Sequence, residues 1–74
     1  MEDIVRYEFD PAASGRHGAA EPRILLWKVM RDGSKFFVES IDGSGIYPSL
    51  GDAMDAASEF GNKLIAEKNA ALPK

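Results

Sequence analysis

A chain of 74 residues, 45% hydrophobic and 28% charged, has room for one small domain and is too apolar overall to stay unfolded, so residues 1–74 are read as a single unit. It contains no cysteine, which excludes a disulfide framework, a thiolate nucleophile and cysteine-ligated metal centres and fits a cytoplasmic home. The longest apolar run, Ile24-Leu25-Leu26-Trp27, is four residues where a membrane span needs about 20, so no membrane partner is expected.

The net charge of −3 is unevenly spread. Residues 1–10 set Glu2, Asp3, Glu8 and Asp10 against Arg6. Residues 11–35 are basic, with Arg16, Arg23, Lys28, Arg31 and Lys35 against Glu21 and Asp32, and residues 36–74 are acidic again. Five scattered cations are few for displacing phosphate counterions, so direct nucleic-acid binding through Arg16, Arg23, Lys28, Arg31 and Lys35 is a third, less favoured reading. An acidic surface suits a basic protein patch better.

In chain order, residues 4–9 alternate, with Val5, Tyr7 and Phe9 on one face and Arg6 and Glu8 on the other, which predicts a first strand. Residues 10–22 turn to proline, alanine, glycine and serine without an apolar period and are expected as a flexible loop. Ile24–Met30 and Lys35–Ile41 flank Arg31-Asp32-Gly33-Ser34, and Asp-Gly favours a two-residue type I′ hairpin turn. That turn pairs Val29 with Phe36, Trp27 with Val38 and Leu25 with Ser40, and turns Leu25, Trp27, Val29, Phe36 and Val38 toward a helix. A three-residue turn shifts the register by one. The second face then carries Leu26, Lys28, Met30, Lys35, Phe37 and Glu39, apolar groups interleaved with charge. Asp42-Gly43-Ser44-Gly45 reads as a turn, and Ile46-Tyr47 as a candidate short fourth strand ended by Pro48.

Ser49 is placed as a helix N-cap, with Asp52 three residues on. The stripe Leu50, Ala53, Met54, Ala57, Phe60, Gly61, Leu64, Ile65 and Lys68 keeps the helical period, and Asp52, Asp55 and Glu59 lie outside it. Residues 70–74 are expected to fray. The predicted fold is α+β: an antiparallel three-stranded sheet against one C-terminal helix.

No residue set completes a catalytic or metal-binding pattern. His17 has no cysteine or second histidine beside it. Aligned as a calcium loop on Gly45, the segment around Asp42 puts Ser40 and Gly51 where carboxylates belong, and Gly43-x-Gly45 lacks the rest of a phosphate cradle. No cofactor, no metal and no enzymatic role are expected.

The pattern Trp27-x-Val29, Gly33, Phe36-x-Val38, followed by the serine-capped helix with Asp52-Ala53 and Ala56-Ala57, looks like small bacterial and phage domains of unknown function over residues 24–66. In general character the chain is similar to phage-encoded inhibitors, anti-CRISPR proteins among them. That class shares no motif, so the resemblance implies an occluding partner-binder and assigns no residue. The expected function is therefore noncatalytic binding to a larger protein or nucleoprotein complex. Its candidate surfaces are the second sheet face (Leu26, Lys28, Met30, Lys35, Phe37, Glu39) and the acidic helix exterior (Asp52, Asp55, Glu59). The alternative is a structural homodimer formed through the sheet face or an edge strand.

Overall fold

Two tight turns fold residues 4–42 into a meander, and residues 50–70 return across it as a helix. The computed structural model describes residues 4–72. Strands β1 (Ile4–Arg16), β2 (Ala19–Met30) and β3 (Lys35–Asp42) form one antiparallel sheet in the order β1-β2-β3, and helix α1 (Leu50–Ala70) packs on β1 and β2. The fold is the α+β architecture expected.

The segment expected as a flexible loop, 10–22, is instead the far half of a long hairpin. Asp10 pairs with Leu25, and pairing continues to Arg16 and Ala19 across His17-Gly18. Its prolines are tolerated because of where their missing donors fall. Bonded and non-bonded pairs alternate along an antiparallel ladder, and the Gly43 N–H donates to the Pro22 carbonyl at 2.9 Å. Pro22 and Ile24 therefore direct their backbone groups toward β3. Pro11, paired with Ile24, is left with its nitrogen on the open edge of β1, where proline interrupts nothing. The hairpin tip is tied down: the Gly18 N–H donates to the Pro48 carbonyl at 2.7 Å, and Ala20 and Tyr47 exchange backbone bonds of 3.0 and 2.8 Å. Ile46-Tyr47 thus supplies a single bridge to Ala20 and not a fourth strand.

The second hairpin closes through three residues, not two. The Met30 N–H donates to the Ser34 carbonyl at 2.8 Å and the Gly33 N–H to the Met30 carbonyl at 3.0 Å. A type I′ turn needs positive φ at both central residues. Here only Gly33 adopts it, at +92°, while the Asp32 carboxylate accepts from the Ser34 N–H at 2.9 Å. The register shifts by one, pairing Val29 with Lys35, Lys28 with Phe36 and Trp27 with Phe37. Val38 is then an extra residue, a bulge, beyond which Leu26 meets Glu39, Leu25 meets Ser40 and Ile24 meets Ile41, as expected.

The side of the sheet that faces α1 is the reverse of the expected one. Ala20, Ile24 and Leu26 are fully buried together with Ala53 and Ala57, whereas Trp27 is only half-buried. Ile24-Leu25-Leu26-Trp27 is apolar at both parities, so alternation alone does not select a face. The helix selects it: Ala53, Ala57 and Gly61 are its buried residues, a stripe of minimal side-chain height on the side where Ile24 and Leu26 are buried and the Phe9 ring lies against Gly61. Leu50 and Met54, expected in that stripe, are 46% and 42% exposed.

At its start α1 has the expected cap, the Ser49 Oγ accepting from the Asp52 N–H at 3.1 Å. Near its end, the Asn69 Oδ1 accepts from the Tyr7 N–H at 2.6 Å and the Nδ2 donates to the Tyr7 carbonyl at 3.4 Å. The Asn69 amide so caps the open edge of β1. Of the expected frayed tail, Ala70 is helical, Ala71 and Leu72 form a turn, and 73–74 lie outside the described residues.

Candidate functional site

Because α1 lies on one side of the sheet, no element among the described residues covers the other side, and its centre is Trp27. In register this residue stands between Glu8 on β1 and Phe37 on β3. The Phe37 ring meets the indole edge-on, with centroids 5.5 Å apart and planes at 74°, a favourable aromatic geometry. The Lys35 ammonium lies 5.4 Å from the indole centroid. The indole Nε1 donates to the Asp10 Oδ2 at 3.0 Å. Every polar group of the tryptophan is thus held while its surface remains half open.

Charged groups frame this platform. The Glu8 carboxylate bridges Arg6 (Nε to Oε2, 2.7 Å) and Lys35 (Nζ to Oε1, 3.2 Å), and Arg23 pairs with Asp42 at 3.2 Å. Val29, in register between Arg6 and Lys35, is only 3% exposed, as expected where long cationic side chains lay their stems over an apolar residue. The Arg6 guanidinium and then the Lys35 ammonium hold the Glu8 carboxyl below the ordinary glutamate range. A carboxyl with a depressed folded-state pKa supports the fold above its unfolded pKa, and that support is lost as pH falls through the folded value. In an NMR titration Glu8 is expected to titrate below an ordinary glutamate. Arg6→Gln should move its midpoint upward more than Lys35→Gln. An unshifted Glu8 midpoint in the parent chain would contradict the bridge.

The expected contact residues do not all share this face. Lys35 and Phe37 are on it. Leu26 is not: it is fully buried against α1 and cannot meet a partner. Glu39 is exposed but stands in register with Leu26, on the helix side of β3. Lys28 is half-buried between Tyr7 and Phe36 on that same side, and Met30 is half-buried at the hairpin end. Asp52, Asp55 and Glu59 are exposed on α1 as expected and gather along a shallow depression of about 300 Å³ beside Tyr47 and Pro48. This depression adjoins a larger one, about 440 Å³, that includes Phe60 and Lys63. Trp27, expected in the core, and Glu8 and Asp10 were not among the contact residues expected from the sequence. The interleaving of apolar and charged residues at odd positions of β2 was a usable signal, but it was hidden because the run is apolar at even positions too.

The basic residues do not converge either. Arg16 is at one hairpin tip and Arg31 at the opposite turn of a molecule 44 Å long, and Lys28 is on the helix side. On the open face Arg6, Arg23 and Lys35 are matched by Glu8, Asp10 and Asp42. Among the described residues no helix is long and apolar enough to cross a membrane. Comparison with known proteins finds no matching family model, no matching curated protein and no matching solved structure.

Proposed function

We propose that this chain is a noncatalytic protein-binding module that blocks or regulates a larger protein or nucleoprotein complex by covering part of its surface. The contact is made by the open sheet face around Trp27 and Phe37. The observation that carries this reading is a large aromatic ring, Phe37, 52% exposed and braced against a tryptophan on a face that no element among the described residues covers. Aromatic anchors within a rim of charge are the composition of protein interfaces, and such anchors carry most of their binding energy. The matched charges around Trp27 favour a protein over phosphate, because each cation on the face already has a carboxylate or the indole as neighbour. The acidic depression at Asp52, Asp55 and Glu59 lies on the helix side and belongs to a different surface.

The test is affinity capture from a lysate of the source organism with tagged parent chain and with Phe37→Asp. Phe37 is exposed, so the variant keeps the circular dichroism of the parent while its captured partner falls at least tenfold. A folded Phe37→Asp chain that captures the same partner equally well would refute this assignment of the surface.

A further inference from the structure

We infer that β3 pairs edge to edge with β3 of a second copy of this chain, antiparallel, about a two-fold axis between Val38 and Glu39. The inference rests on the backbone edge and not on the reading above, although Lys35 and Phe37 border both surfaces.

The two edges of the sheet are not alike. On β1 the Asn69 amide caps Tyr7, and Pro11 offers no donor. On β3 nothing comparable is found among the described residues. Which groups β3 presents follows from two bonds. Met30 N–H to the Ser34 carbonyl and Gly43 N–H to the Pro22 carbonyl make those pairs bonded ones, and strict alternation on either side of the bulge follows. Phe36 and Ile41 then point their backbone groups at β2, while Lys35, Phe37, Ser40 and Asp42 point theirs outward. The outward groups come two residues apart on each side of the bulge but three apart across it.

That spacing decides the occupant. A regular strand presents backbone groups every second residue, so it can satisfy one half of this edge and falls out of step at Val38. A bulge at an edge is a common device against such pairing. A second β3 run antiparallel presents the same interrupted spacing. Lys35 then faces the partner copy's residue 42, an aspartate, and Phe37 faces residue 40, a serine. The symmetric pairs repeat on the other side of the axis. Lysine and aspartate lie opposite each other twice on one face, each beside the partner it has within its own chain, Glu8 for Lys35 and Arg23 for Asp42, so this register opposes no like charges. A 74-residue chain without disulfides is also of the size for which association commonly supplements a small core. The result is a continuous six-stranded sheet with both Trp27–Phe37 pairs on the same side.

Sedimentation of the parent chain at about 100 µM should give twice the 8.1 kDa monomer mass. Ser40→Pro deletes an outward N–H without touching the β2 ladder, and should be monomeric with unchanged circular dichroism and unimpaired capture of the larger partner. Should that variant fail to fold, single cysteines decide. The chain has none of its own, and residue 39 of each copy lies beside the axis, within the Cα separation of about 4.4–6.8 Å that a disulfide spans. Glu39→Cys should cross-link on mild oxidation at least tenfold faster than Arg31→Cys in the turn. A monomeric parent chain, a folded Ser40→Pro that remains dimeric, or equal cross-linking of the two cysteine variants would each overturn the inference. Loss of partner capture in Phe37→Asp with the dimer intact would bear on the aromatic face alone.

Discussion

Gly61→Val is expected to remove about 2–3 kcal/mol of stability, half or more of what a domain of this size commonly has. Helix propensity argues the other way, since glycine is the poorest interior residue short of proline, by roughly 1 kcal/mol relative to alanine. Packing reverses the sign. A Cβ at position 61 would fall inside van der Waals contact of three ring carbons of Phe9, and overfilling a packed layer typically costs about 1–3 kcal/mol, with a branched side chain toward the upper end. A domain of this size has only about 3–5 kcal/mol in total. Urea denaturation of the parent and variant measures the difference. Because the clash is with one ring, Phe9→Leu in the same chain should recover part of the loss. A Gly61→Val chain as stable as the parent would show that α1 and β1 are farther apart than described.

The second large effect separates two adjacent leucines. Leu26→Ala should cost about 3 kcal/mol, within the 2–5 kcal/mol range for emptying a fully buried aliphatic site, because Leu26 is fully enclosed between β2 and α1. Leu25→Ala should cost less than about 1 kcal/mol, because Leu25 is only partly buried, on the uncovered face. Chemical denaturation of both variants gives the comparison directly, and their order matters more than either value. A larger loss at position 25 would put the helix on the wrong side of the sheet.

These two pairs of residues also show what was legible before the structure. Helix α1, its Ser49 cap and the exposure of Asp52, Asp55 and Glu59 were readable because they depend on local periodicity and local hydrogen bonding. A reversal at Asp32-Gly33 was readable for the same reason. Its length was not: the Asp32 carboxylate binds the Ser34 N–H and holds a three-residue loop, and one residue of difference changes every pair as far as the bulge at Val38. The 10–22 segment looked like a loop because proline usually ends a strand. Whether Pro11 does so depends on which way its nitrogen points, and that is set by β2 and β3 far along the chain. The sidedness of β2 was undetermined for a related reason, since the deciding feature is the low profile of Ala53, Ala57 and Gly61 on another element. The error displaced the candidate site: Leu26 moved inward, and Trp27 took its place beside Phe37.

The proposed contact surface depends on that sidedness, with Trp27 and Phe37 together on the uncovered face. The most direct measurement is a set of proton NOEs from the Trp27 indole in the labelled protein. Strong contacts are expected from the indole to the Phe37 ring and to the Lys35 side chain, and from the Leu26 methyls to Ala53 or Ala57. Contacts from the indole to the methyls of Ala53 or Ala57 would contradict that sidedness.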